Sequence, residues 1–212
     1  MLNSVKEKLK LLWKFYQISK ITFQGYSEYK EYFLEEDKKS NWDPSTFSNI
    51  IEKNLNYKDN LNLVEIGVAR GSTSKFTIEK LSDRILTYTG IDPYESNYDR
   101  TDSFSQYNQD LMDNLYKFVI EKNNDPRFNL IRKKSNLAHL DFENNSIDAI
   151  YIDGNHSYEA VMEDIKYWSP KVKQGGLIVG DDYLTFEGVR KAVNDSFSNF
   201  NKSGNTWFFK KS

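Results

Sequence analysis

From residue 61 the chain settles into two alternating rhythms. LNLVEIG (61–67), ILTYTGID (85–92), FNLIRKK (128–134), SIDAIYID (146–153) and GLIVGD (176–181) are short apolar runs, rich in β-branched residues and bounded by turn residues. Between them STSKFTIEKL, QDLMDNLYKFVIEK, SYEAVMEDIKYW and FEGVRKAVNDSF space their apolar residues three and four apart. Runs that are apolar throughout read as strands buried on both faces, and strands alternating with helices read as a parallel sheet. After the last helix, NKSG (201–204) reads as a hairpin turn into TWFFKK, which adds an antiparallel edge.

Residues 1 to 60 behave differently. They are rich in Lys, Glu, Asn and aromatics, show helical spacing and contain no strand pattern. In WDPSTFSNIIEKNL (42–55), Asp43 as N-cap and Pro44 at the first helical position predict a helix start. The opening twenty residues carry five lysines against one glutamate, with Val5, Leu9, Leu12, Trp13 and Tyr16 at helical spacing. Such a basic amphipathic helix packs on its own domain or on a partner subunit, with a membrane surface as the lesser reading. The predicted architecture is α/β: a doubly wound, mostly parallel, Rossmann-like sheet of seven strands with a C-terminal hairpin. Residues 1–60 form an N-terminal helical cap, which supplies substrate or homo-oligomer contacts, and residues 61–212 form the principal domain. The sequence contains no internal repeat and no low-complexity tract.

Composition narrows the chemistry. The 212 residues are 38% apolar and 28% charged with a net charge of −2, and the two signs are mixed along the chain, so nucleic acid is not an expected partner. There is no cysteine, which removes disulfides, thiolate metal sites and Cys nucleophiles. With only His139 and His156 present, a His-rich zinc site is removed as well, and any metal is expected to be a hard, oxygen-ligated one. No apolar stretch approaches the ~18 residues of a membrane span, and a cytoplasmic location is expected.

The strand ends are where the candidate chemistry collects. In doubly wound sheets ligands bind beyond the carboxyl ends of the strands, and here those ends carry Glu65, Asp92, Asp153, Asp181 and Asp182. VEIGVARGSTS (64–74) is the first strand-to-helix turn, with Gly67 and Gly71 in a G-x-x-x-G spacing rather than G-x-G-x-x-G. Glu65 precedes it, where a carboxylate would repel a pyrophosphate but accept from an ammonium. Asp92, ending the second strand, is placed for the two hydroxyls of a ribose. Ammonium at one end and ribose at the other describe S-adenosylmethionine better than NAD.

On these residues the chain from about 60 to 212 resembles the class I S-adenosylmethionine-dependent methyltransferases. The resemblance implies that the first turn, with Glu65, Gly67, Gly71 and Ser72, holds the methionine part. It also implies that Asp92 takes the ribose, that KKSN (133–136) with Ser135 flanks the adenine, and that Asp153 borders the cofactor. Ala69 stands where the motif often has a middle glycine.

DGNH (153–156) follows the fourth strand and Asp181–Asp182 ends the fifth, its neighbour in such a fold. Three converging carboxylates need a divalent cation, so Asp153, Asp181 and Asp182 are the candidate ligands of Mg²⁺ or Mn²⁺. This spacing resembles the metal-dependent sugar O-methyltransferases of the mycinamicin and macrocin type. That resemblance implies a sugar or natural-product acceptor and His156 as general base beside Asp153, while Asn155 cannot act as one. His139 has no partner pattern and reads as structural or surface. Two other readings remain: a non-catalytic S-adenosylmethionine-fold protein, and a hydroxylase-like relative, for which the chain lacks a two-His-one-carboxylate triad.

Overall fold

The five apolar runs become five parallel strands: β1 (Leu61–Ile66), β2 (Ile85–Ile91), β3 (Phe128–Ile131), β4 (Ile147–Ile152) and β5 (Val172–Gly180). Two further strands, β6 (Asn201–Ser203) and β7 (Thr206–Lys210), complete a seven-stranded sheet of order β3-β2-β1-β4-β5-β7-β6. The computed structural model describes residues 2–98 and 104–212, without the side chains of residues 2–8, 11, 15 and 104. β7 runs antiparallel between β5 and β6. All six residues of β4 are buried, as expected of a central strand that pairs β1 on one side and β5 on the other. Strand order reverses between β1 and β4, so the crevice for a ligand opens above the ends of these two strands.

Helices cover both faces. On one, α7 (Tyr158–Trp168) and α8 (Glu187–Ser196) pack Val161, Ile165, Trp168, Val189 and Val193 on Ile150, Ile152 and Ile178. On the other, α3 (Thr46–Asn54) and α4 (Ser72–Leu81) pack Phe47, Ile51, Ile78 and Leu81 on Leu61, Leu63, Tyr151 and Val179. A third cluster joins α2 (Tyr26–Lys39) to α5 (Gln109–Lys122) through Phe33, Leu115 and Phe118. Asn108 caps α5, accepting from Leu111 N at 2.9 Å, and its amide donates to Ser19 O and Ile21 O, which pins the end of α1 (Leu2–Ser19). A short α6 (Ser135–Ala138) follows β3.

Several expectations shift in detail. The third helix begins at Thr46, not at Pro44, because Asp43 Oδ1 accepts from Ser45 N (2.9 Å) in a local turn that precedes the helix. NKS belongs to β6 and the turn tip is Gly204–Asn205, with Ser203 paired to Thr206. Within residues 1–60, α3 packs on the sheet core. On α1, Leu9, Leu12, Trp13 and Tyr16 are 54–64% exposed, so this part of the stripe is not covered by the domain; Val5 lies outside the described side chains. His139 stacks on Tyr167 at 4.5 Å. Among the described residues no helix is long and apolar enough to cross a membrane.

Candidate active site

The turn between β1 and α4 is built by close backbone contact. Gly67 sits at φ +84°, and a Cβ there would lie 2.0 Å from Asp153 O, so the turn presses directly on the end of β4. Gly71 (φ +70°) starts α4, and its missing Cβ leaves room for the Asn123 amide. Ala69 also occupies the left-handed region, at φ +47°. A non-glycine residue there costs on the order of 1 kcal/mol. Asp92 offsets this: its Oδ2 accepts from Val68 N (3.0 Å) and Ala69 N (3.1 Å), while Oδ1 accepts from Tyr94 N (2.8 Å). The acid that ends β2 therefore shapes the first turn as well as facing the crevice. Burial raises its pKa and these backbone bonds oppose the rise.

Glu65 is buried in β1, and its Oε2 accepts from Tyr88 OH at 2.9 Å. Burial pushes its carboxyl up to about 8; the Tyr88 bond opposes this and the charge of Asp92 adds to it. It faces a cavity of about 260 Å³ together with Ser72, Asp153, His156 and Asp182. The Ser72 hydroxyl accepts from Lys122 Nζ at 2.9 Å. A second cavity, toward β2 and β3, is lined by Asp92, Ser135, Asp153 and Asp164. Ser135 donates its hydroxyl to Asp164, whose carboxyl burial lifts to about 7 despite that bond.

Above β4 and β5, Asp153, His156 and Asp182 place potential ligand atoms within 4.8 Å of one another. His156 Nε2 is 3.0 Å from Asp182 Oδ2, and the imidazole lies flat on Phe186 (4.1 Å, 7°). Burial and the charges of Asp181 and Asp182 hold Asp153 well above the ordinary carboxylate range. Burial would raise Asp182 too, but bonds from His156, Asn205 and Thr185 outweigh it and leave the group low. Burial lifts Asp181, whose Oδ1 accepts from Thr206 Oγ1 at 3.0 Å. The two adjacent acids thus diverge. Asp182, at φ +64°, turns toward His156, while Asp181 is drawn to β7. The converging set is Asp153–His156–Asp182, which differs from the expected Asp153–Asp181–Asp182 by exchanging Asp181 for the histidine.

Other site residues carry no motif. Trp42, from the loop before α3, donates Nε1–H to Thr73 Oγ1 (3.1 Å) and walls the 260 Å³ cavity. Asn205, at the hairpin tip, donates to Asp182 Oδ1 at 3.0 Å. Asp164 could have been found: Val161, Asp164, Ile165 and Trp168 share one helical face, so an acid stands in an apolar stripe.

Comparison with known proteins bears on the family and the fold. A viral relative, the uncharacterized protein R132 of Acanthamoeba polyphaga mimivirus, is 31% identical over 141 residues; these make up 65% of this chain and 59% of that protein, so the match spans somewhat over half of the relative's length. A structural-genomics protein from Corynebacterium glutamicum superposes with a TM-score of 0.60 at 13% identity, covering 97% of both chains. The O-methyltransferase NovP gives 0.60 at 14% identity over 80% of this chain and 79% of its own. A Staphylococcus aureus protein assigned as a caffeoyl-CoA O-methyltransferase gives 0.53 at 17% identity, covering 96% and 97%. At these identities the structures testify to the fold. The family description "Methyltransferase domain" matches residues 64–183, more than half of the chain, from within β1 to just past the Asp181–Asp182 pair. The sheet order is the one such a domain needs for a ligand crevice above β1 and β4, and the chain therefore belongs to the family of methyltransferase domains.

Proposed function

We propose that this methyltransferase methylates a hydroxyl of a sugar or other small polyol, assisted by Mg²⁺ or Mn²⁺. The observation that carries the reading is the convergence of Asp153, His156 and Asp182 beside the cavity that Glu65 faces. The donor set fits a divalent cation. The partly buried Asp153 carboxylate receives no side-chain hydrogen bond among the described residues, and its charged neighbours include two more acids. Carboxylates suit Mg²⁺ and Mn²⁺, and the adjoining imidazole adds a ligand type more at home on a transition metal. Asp153 and Asp182 would hold the ion, with Asp181 as the neighbouring carboxylate. When bound, such an ion lowers the pKa of a coordinated hydroxyl.

The chain's own residues supply the rest. Glu65 accepts from the ammonium of S-adenosylmethionine, which compensates a carboxylate that burial otherwise neutralises. Asp92 keeps a lone pair on Oδ1 for a ribose hydroxyl, beyond those its three backbone bonds use. Gly67 and Gly71 let the ligand approach the backbone, Ser72 borders the methionine part, and Ser135 flanks the adenine. His156 takes the acceptor's proton at the ring nitrogen that does not face Asp182, and Asp182, 3.0 Å from Nε2, orients the ring and stabilises the imidazolium that forms. The exposed stripe on α1 supports contact with a second copy of the chain. The test is methyl transfer from labelled S-adenosylmethionine to a panel of sugars, with and without EDTA. Transfer that depends on metal supports the reading; full activity in chelator, or transfer only to nitrogen or carbon acceptors, refutes it.

A further inference from the structure

Three cavities run in succession along the carboxyl edge of the sheet. The one beside Ser135 and Asp164 shares Gly67, Ala69, Asp153 and Gly154 with the one that holds Glu65, His156 and Asp182. This middle cavity in turn shares Trp42 with a third, of about 570 Å³, between α3 and the β6–β7 hairpin. The first two take the methyl donor and the reacting groups. The third has Asp181 in its wall and so adjoins the same chemistry from the opposite side.

Its lining says what it would hold. Apart from Trp42, Ile50 and Phe208 the wall is polar or glycine, which suits a hydroxyl-rich ligand rather than a flat apolar one. Its four charged side chains are unequally satisfied. Asp43 is bonded to Ser45 N at 2.9 Å and Asp181 to Thr206 Oγ1 at 3.0 Å. Lys53, from α3, has no carboxylate within ion-pair distance among the described residues. Lys202, from the hairpin wall, has only the Tyr183 ring, 4.9 Å from its ammonium. The neighbouring Lys80, by contrast, is occupied by Glu52 (2.9 Å) and Asn49. Two walls of one polar cavity thus each present a cation with no anion to meet.

We infer that the third cavity is the acceptor site and that its ligand is an anionic sugar, with a phosphate or carboxylate held between Lys53 and Lys202. The sugar ring lies against Trp42, whose indole is fixed by Thr73, and one hydroxyl reaches the Asp182–His156 end. This deepens the proposed sugar O-methyltransferase reading and rests on it. Charge-assisted bonds to two ammonium groups at a partly exposed site correspond to about tenfold or more in affinity.

The test is calorimetric, on the full chain loaded with S-adenosylhomocysteine and Mg²⁺. Glucose, glucose 6-phosphate, glucuronate and inorganic phosphate are titrated into wild type and into the Lys53→Ala/Lys202→Ala double variant. Both substitutions are at exposed positions and should leave folding and S-adenosylhomocysteine binding intact. The expected result is that glucose 6-phosphate or glucuronate binds at least about tenfold tighter than glucose, and that the double variant erases the difference. Which of the two binds tighter identifies the anion as phosphate or carboxylate. The inference is overturned by equal binding of charged and neutral sugars, by no binding of either anionic sugar, by a preference that survives in the double variant, or by inorganic phosphate binding as tightly as the sugar phosphate. Failure of the wider reading looks different: S-adenosylhomocysteine would not bind, or the anionic sugars would bind while no sugar, charged or neutral, was methylated.

Discussion

His156 Nε2 lies 3.0 Å from Asp182 Oδ2 while the ring is stacked on Phe186, so one nitrogen of the histidine is aimed at the carboxylate group and the ring plane is fixed. As the proposed base, a ring held in this way should matter to turnover more than to binding. His156→Gln is expected to lower kcat by ~10²–10⁴ with S-adenosylhomocysteine affinity within a few-fold of wild type. If kcat stays within a few-fold, the ring only braces Asp182.

The divergence of the two adjacent acids makes the metal question a graded one. Mn²⁺ binding followed by electron paramagnetic resonance should show one site, weakened at least ~10-fold by Asp153→Asn or Asp182→Asn. Asp181→Asn should weaken it less, since Thr206 already occupies one oxygen of that carboxylate. Equal losses for all three would restore Asp181 as a full ligand, and no Mn²⁺ binding in wild type would remove the metal.

Asp92 has two duties, and its removal should show both. Asp92→Ala leaves Val68 N and Ala69 N without their acceptor and Ala69 in a left-handed conformation with nothing to offset it. Binding of S-adenosylhomocysteine should weaken by ~10²-fold, and amide exchange at residues 68 and 69 should speed up in the ligand-free protein. Unchanged exchange with weakened binding would confine Asp92 to the ligand.

Asp164 offers a stability readout in the ligand-free protein. Its carboxyl is raised from 3.8 to about 7 by burial, so between those values the folded state holds a proton that the unfolded chain has released. Stability from this group therefore declines as pH rises from about 4 to about 7 and stays low above that. Asp164→Asn should stabilise little at pH 4 and by up to about 4 kcal/mol at pH 8, read as a growing difference in Tm. A difference that does not change with pH would mean the carboxyl is already ionised when folded.

The alternation of rhythms made the fold readable: each apolar run became a strand, and each run's terminal acid reached the carboxyl edge, because in a parallel sheet all strands end on the same side. Glu65, Asp92, Asp153 and Asp182 could be placed from that rule alone. Trp42, Asn205 and Thr206 could not. They reach the site because β7 inserts antiparallel beside β5 and because the loop before α3 folds over α4, and no local pattern encodes either juxtaposition. The turn chemistry at Asp43 misled for a related reason, since an aspartate before proline closes a turn as readily as it opens a helix.

Asp37, near the end of α2, bonds Arg70 Nε and Lys122 Nζ, each at 2.6 Å, and Lys122 reaches the Arg70 carbonyl and Ser72. With Phe47 stacked on Tyr151 of the central strand, this ties the first sixty residues to the cofactor turn. The change of rhythm at residue 61 is thus bridged by ion pairs and ring contacts. An amino-terminal segment grafted from a relative would have to bring its own counterpart of Asp37 and of Phe47, or leave Tyr151 without its stacking ring and take from Arg70 and Lys122 the carboxylate they share. Diversification of the acceptor in such a chain is constrained to proceed by substitution within this segment, at positions such as 42 and 53, rather than by exchange of the segment as a whole.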